Sequence, residues 1–166
     1  FDHKHHKGIW IGVEHVNDIN FWGGKYQQQD AVEPAPAKER IENVSVQTAA
    51  GDHGSHKLLI ENIWQGDAGQ PVLKELTSVT AYPNRLLVFD ITLTPAGKAV
   101  QFQDTKEGFL AIRVAPTMNG KVGGVITNAE GDVGEERCWG KTSAWVDYSG
   151  PVDGKLAGVA LFDHPG

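Results

Sequence analysis

Three successive segments constrain the fold more than anything else in this sequence. "HKLLIENIWQ" (His56–Gln65), "LKELTSVTAY" (Leu73–Tyr82) and "LLVFDITLTP" (Leu86–Pro95) are strand-like runs joined by "GDAGQP" and "YPNR". A side-chain period of two belongs to a pleated strand. Short breaks rich in Gly, Pro and Asn close antiparallel hairpins, so the three runs predict a meander. In the third, Leu87, Phe89, Ile91 and Leu93 share one face, and Val88, Asp90, Thr92 and Thr94 the other. That strand is expected to be buried on one side only.

The rest of the chain reads in the same way. "GIWIGV" (Gly8 to Val13) is a short apolar run, and a turn-rich stretch from Asn17 to Asn20 leads into "FWGG". Residues Tyr26 to Glu42 are polar around "EPAPAKE", which predicts an exposed loop or an edge. A short helix over Ala35 to Ile41 is the alternative there. Alternation starts at Val44. Further on, "VQFQDT", "GFLAIRVA", "GGVITNA", "TSAWVDYS" and "LAGVALFD" are strand-like, with turns at "NGKVGG", "AEGDVGEE" and "SGPVDGK". No stretch of ten or more residues carries a convincing helical stripe. The expected fold is all-β, an antiparallel β-sandwich, with no internal repeat and no linker. It is read as a single domain over residues 1–166. Phe1 is not an initiator Met and the chain stops at "LFDHPG", so both ends are read as cuts in a larger domain.

Composition excludes several functions. The net charge is −6 with no block of like charges, which argues against a nucleic-acid or anionic-membrane footprint. No apolar run approaches the ~20 residues of a spanning helix, so no membrane insertion is expected. Cys138 is the single cysteine, which rules out an intrachain disulfide and any CxxC metal or redox motif. No GxSxG, Walker, Rossmann or HExxH pattern is present.

Four stretches carry residues suited to chemistry. The first is "FDHKHHKGIW", with His3, His5 and His6 inside four positions. If extended, it points His3 and His5 to one side and His6 to the other. An HxH pair can offer two imidazoles to one ion, neutral imidazole being a ligand for Zn, Cu, Fe or Ni. The remaining ligands would come from His15, His53, His56, Asp163 or His164. Double-stranded barrel metalloenzymes place a Glu a few residues after such a pair, whereas the nearest acid here is Glu14. The same histidines serve equally as an acid/base or polar ligand site without a metal, or as a solvated turn.

The second is "DTKEGFLAIRV" (Asp104 to Val114). A regular strand puts Arg113 on the face of Phe109 and Ala111, where a buried guanidinium needs a carboxylate. Glu107 is the candidate, either as ion-pair partner or as a general acid/base. The third is "WGKTSAWVDYSG", where Trp139, Trp145 and Tyr148 flank Lys141 and Asp147. Aromatic faces stack on the C–H faces of sugar rings, and charged groups take the hydroxyls. Trp10 and Trp22 add to this set, and core packing is the plain alternative for each ring. The fourth is "ALFDHPG", which leaves Asp163 and His164 on a rim at the exit of a strand.

These blocks together resemble a known family. "DHKHHKGIWIG" is similar to the Asp-His-Pro-His-His-Arg-Gly signature of a bacterial family of unknown function labelled PmoA-like. "NFWGG", "DTKEGFLAIRVA", "GKTSAWVDYSG" and "GVALFDHPG" look like its later blocks in the same order, so the likeness runs from Asp2 to the last residue. Lys4 stands where the family usually has Pro, and Lys7 where it has Arg. Thr142 and Ser143 replace a frequent Arg-Ala. Lys7 keeps the charge but loses the bidentate fork.

The resemblance implies a galactose-mutarotase-like sandwich (a supersandwich), a link to bacterial sugar catabolism and a periplasmic or exported location. The methane-oxygenase part of the label is set aside, because such a subunit is a membrane protein and this chain has no spanning segment. The expected function is therefore an enzyme acting on a carbohydrate by His/carboxylate chemistry, of the epimerase, hydrolase or lyase type. His5, His6 and Glu107 are the catalytic candidates. His3, Trp10, Arg113, Lys141, Trp145, Asp163 and His164 are the substrate-binding ones. No cofactor is required by this reading. If a divalent metal binds, His3, His5 and His164 are its expected ligands. The alternative is a non-catalytic carbohydrate-binding module.

Overall fold

The computed structural model describes residues 6–22, 39–105 and 108–164. The fold is all-β and antiparallel, as the alternation predicts. The strands are β1 (Ile9–Val13), β2 (Arg40–Ala50), β3 (His56–Gln65), β4 (Pro71–Ala81), β5 (Leu87–Pro95), β6 (Gly108–Ile112), β7 (Val125–Asn128), β8 (Trp145–Val152) and β9 (Lys155–Phe162). A single helical turn, α1 (Glu135–Cys138), lies between β7 and β8. No helix among the described residues is long and apolar enough to cross a membrane.

The strands form three sheets, β1-β6, β2-β3-β4-β5 and β7-β8-β9. The chain gathers into two compact units, Ile11–Leu110 and the pair of segments Phe1–Trp10 and Ala111–Gly166. β1 and β6 each begin in one unit and end in the other.

In the Ile11–Leu110 unit the meander forms as expected, its register set by tight turns. One face of the sheet carries the row Ile41, Trp64, Leu73 and Pro95, and beside it the row Asn43, Asn62, Glu75 and Leu93. Trp64 is fully buried and meets the Phe21 ring at a centroid distance of 5.0 Å. Val13, Val16, Val72 and Leu73 complete this core. Burying rings and branched chains of this size supplies about 1.5–3 kcal/mol each.

In the second row Glu75 is buried, Asn62 and Leu93 are half-buried, and Asn43 is exposed at the edge. Glu75 is only 4% exposed. Its Oε2 accepts from Trp64 Nε1 at 2.7 Å, and its Oε1 accepts from Thr77 Oγ1 at 2.7 Å and Asn62 Nδ2 at 3.0 Å. Asn43 Nδ2 donates in turn to Asn62 Oδ1 at 2.9 Å. A buried carboxylate is tolerated only when its lone pairs are filled, and here one hydrogen-bonded chain of side chains crosses three strands to fill them.

Some expectations are corrected. "VQFQDT" forms no strand. Its backbone pairs instead with the turn-rich segment, Asn17 N–H donating to Gln101 O and Gln103 N–H to His15 O, and only Phe102 bridges to Val16. β2 begins at Arg40, ahead of the alternation expected from Val44, and is an edge strand, one of the two forms expected for that stretch. Edge strands tolerate such polar residues because one side faces solvent. The helix considered over Ala35 to Ile41 fails at Arg40 and Ile41, which are strand; residues 35–38 lie outside the described set. "SGPVDGK" is mostly strand. β8 runs through Val152, and only Asp153 and Gly154, both at positive φ (49° and 73°), make the turn. Asp-Gly suits that two-residue hairpin. The last two residues of "AEGDVGEE", Glu135 and Glu136, are not turn but the start of α1.

In the other unit, backbone approaches closely beneath β8. A Cβ built on Gly124 would run into the Met118 carbonyl oxygen, and one on Gly150 would sit 2.8 Å from Met118 Cα. Both neighbours are backbone and cannot swing aside.

Two stability measurements follow. Glu75→Ala strands the Trp64, Thr77 and Asn62 donors and is expected to lower stability by about 3 kcal/mol in urea unfolding. Glu75→Gln, which keeps one acceptor, should cost less than that. Gly124→Ala should cost more than about 3 kcal/mol, the scale of severe backbone overpacking, measured the same way.

Candidate functional site

His3, His5 and Glu107 lie outside the described residues. The other seven candidates, His6, Trp10, Arg113, Lys141, Trp145, Asp163 and His164, all fall in the unit made of Phe1–Trp10 and Ala111–Gly166. The hydrogen bonds and ring contacts order them into two groups.

The first group is built on the entry to β1. Four extended residues span about 13 Å, yet the rings of His6 and Trp10 stack at a centroid distance of 4.7 Å with 23° between planes. The chain turns back between them at Gly8, whose φ is +62°. That left-handed conformation is open to glycine without the penalty a Cβ brings. Arg113, one residue past β6, secures the turn. Its backbone N–H donates to Gly8 O at 2.8 Å, and its Nε–H donates to His6 O at 3.3 Å. Gly108 lies against Gly12 while Arg113 lies against Gly8, so β1 and β6 run antiparallel.

This corrects the expectation of a buried Arg113. The strand ends at Ile112, and Arg113 is exposed. Its guanidinium braces the histidine segment instead of sitting on the apolar face of Phe109 and Ala111. His6 covers one face of the Trp10 ring.

The second group is carried by the β7-β8-β9 sheet. Trp145 opens β8 and is half-buried. Its carbonyl accepts from Ala129 N–H at 3.2 Å and from Ser143 Oγ at 2.9 Å. Register places Phe162 and Ala160 beside Trp145 and Asp147 on one face, with Thr127 on the far side of Asp147. Phe162 is 71% exposed. This face thus offers two aromatic rings, a carboxylate and a hydroxyl over small residues. Asp163 leaves β9 with its N–H donating to Ala144 O at 3.1 Å. Alternation sends its side chain to the face opposite Trp145. Asp163 and His164 are exposed at the strand exit, on the rim as expected. Lys141 is exposed after α1, close to Trp139, which is 71% exposed.

Among the described residues, no group of three or more His, Cys, Asp or Glu side chains is placed to hold a metal ion. Of the considered ligands, His15, His53 and His56 belong to the Ile11–Leu110 unit and His164 to the other. His3 and His5 lie outside the described residues.

Two parts of the arrangement escaped the sequence reading. In the sequence Phe162 reads only as a strand residue, whereas strand pairing makes it the neighbour of Trp145. Glu75 was passed over because an acid in a strand reads by default as solvent-facing. Its parity with Leu73, Thr77 and Val79 was the signal that it shares the face carrying the core.

The sequence profile of a family of unknown function, DUF6807, matches residues 1–166, the whole chain. The chain belongs to that family. Comparison with curated proteins and with solved structures returns no match. What a DUF6807 chain does must therefore be argued from the residues of this one.

The stack is open to direct measurement. Trp10→Ala should remove the ring-current shift on the His6 ring protons, read by NMR of the imidazole resonances. Gly8→Ala meets no atom within 4 Å of the added Cβ. It should cost only the left-handed backbone term, about 1 kcal/mol, while loosening the same stack.

Proposed function

We propose that this DUF6807 chain is a carbohydrate-active enzyme that transfers a proton on a sugar or sugar derivative, with His6 as one of its acid/base groups. The observation that carries the reading is the His6 imidazole held against Trp10 by a turn that Gly8 permits and Arg113 braces. Imidazole is the side chain whose ordinary pKa range suits general acid/base work at neutral pH. Such a group is effective only when its orientation is set beforehand, and here the stack and the brace set it. His5 and Glu107 are the proposed partners in proton transfer. Lys141, Trp145, Asp163, His164 and His3 are the proposed substrate contacts.

The substrate class is argued from the aromatic and polar residues of the same unit. Trp145 and Phe162 present rings beside Asp147 and Thr127, the combination that takes a sugar's C–H face and its hydroxyls together. The resemblance of the sequence blocks to PmoA-like proteins, with the mutarotase-like sandwich and the exported bacterial location it implies, points to the same class. Where a divalent metal binds, His3, His5 and His164 are its proposed ligands.

A second reading rests on exposure. Trp139 and Phe162 are both 71% exposed, as expected of a platform that docks a glycan without reacting with it. The two readings separate on His6→Ala. Wild-type protein and variant would be compared by NMR time course on a panel of reducing sugars and uronates, with saturation-transfer difference spectra reporting binding. The enzyme reading expects turnover to fall about 10²–10⁴-fold with binding retained, the usual contribution of a positioned acid/base group. Binding without turnover in the wild type would establish the binding module instead.

A further inference from the structure

β9 is the outer strand of the β7-β8-β9 sheet. Which of its backbone groups face outward can be worked out. In an antiparallel ladder, residues alternate between directing both N–H and C=O at the neighbour and directing both away. Asp163 N–H donates to Ala144 O, on the β8 side. By alternation Lys155, Ala157, Val159 and Leu161 also face β8, and Leu156, Gly158, Ala160 and Phe162 present their amides and carbonyls outward. Pro151 agrees with this parity. It stands opposite Leu156, a non-hydrogen-bonded position where a missing N–H loses nothing.

The other edge strands of the two larger sheets are blunted in ways proteins use against pairing. β2 carries Arg40 and Glu42 and an irregularity between Asn43 and Ser45. β5 carries Asp90 and ends at Pro95, and β7 has only 4 residues. β9 from Leu156 to Phe162 reads "LAGVALF", with no charge, no proline and no break in its register with β8. Leu156 is 83% exposed and Phe162 71%.

We propose that this edge pairs with the same edge of a second copy of the chain, β9 antiparallel to β9, about a two-fold axis at Val159. The occupant follows from self-complementarity. Centred on Val159, the strand sets Lys155 opposite the partner's Asp163 and Leu156 opposite the partner's Phe162. Ala157 then faces the partner's Leu161, and Gly158 the partner's Ala160. Both ends of the pairing join opposite charges, and the two most exposed apolar side chains of the strand cover each other. Cross-strand pairs of both kinds stabilise a sheet.

Parity also fits. The outward-facing residues fall opposite one another as hydrogen-bonded pairs, and Lys155 and Asp163 fall on the closer, non-hydrogen-bonded positions. Centring one residue earlier, on Gly158, would put Asp163 against the partner's Asp153. Centring one later, on Ala160, would put it against the partner's Ala157. Only the Val159 register joins the charges. The contact is isologous and closes on itself, so it ends at two copies.

The test is sedimentation velocity on the full 166-residue chain and its variants. The wild type is expected to be a dimer. Ala160→Pro removes an outward N–H that no described residue of the protomer uses. It should give a monomer with an unchanged far-ultraviolet CD spectrum. Lys155→Asp places like charges at both ends of the pairing and should weaken the dimer about tenfold. Adding Asp163→Lys to it should restore the wild-type affinity. A wild type that stays monomeric up to about 100 µM, as it would if another segment occupied the edge, overturns the proposal. So does a folded Ala160→Pro dimer, or a larger open-ended assembly. If Ala160→Pro does not fold, the charge-swapped pair decides alone: failure to restore association overturns the register and with it the proposal.

Discussion

Glu75 is a carboxylate inside the larger sheet, and its hydrogen bonds come from residues of that same sheet. Trp64, Asn62 and Thr77 reach it from its own strand and the one beside it, and Asn43 extends the chain of contacts to a third. Burying a carboxylate is costly unless its oxygens are filled, so the network makes register a condition of folding. A slip of one residue would turn every side chain to the other face. It would take Trp64 out of the core it shares with Phe21, Val13 and Leu73 as well. The Ile11–Leu110 unit is thus a scaffold in which polar satisfaction and apolar packing select the same pairing.

The other unit carries the described candidate residues for chemistry. Under β8 it packs backbone on backbone, at Met118, Gly124 and Gly150. The histidine segment is held differently, by a glycine turn and a braced stack. That difference suits the roles proposed for them. A sheet that presents rings needs a firm floor, whereas an acid/base group needs one fixed direction for its imidazole. Asp163 stands where two demands meet, since it is a proposed substrate contact at the exit of β9 and the charged end of the proposed β9 pairing. A carbohydrate at that rim and a second copy at that edge would both draw on its carboxylate.

Much of the fold was legible because the meander repeats a simple pattern. β3 runs from His56 to Gln65, as the alternation predicts, and β4 and β5 differ from expectation by one or two residues at an end. Legibility failed where long-range bonds overrode local pattern. "VQFQDT" has the look of a strand, but its amides and side chains are taken by Asn17, Asp18 and the His15 carbonyl, more than eighty residues earlier. Pro151 looked like a turn residue. It is a strand residue because its missing N–H falls on a position that needs none.

The sequence by itself determined the class, the antiparallel order of β3, β4 and β5, the exclusions drawn from one cysteine and a modest negative charge, and the residue types available for chemistry. Those follow from periods and turn residues, which act over a few positions. Tertiary structure alone decided which residues meet. It stacked His6 on Trp10 through a positive φ at Gly8, moved Arg113 from an apolar face to the histidine backbone, set Phe162 beside Trp145, and buried Glu75 among its donors. Each of these depends on strand pairing or on a backbone reversal, and neither the partner of a strand nor the direction of a turn is written in the spacing of the residues that take part.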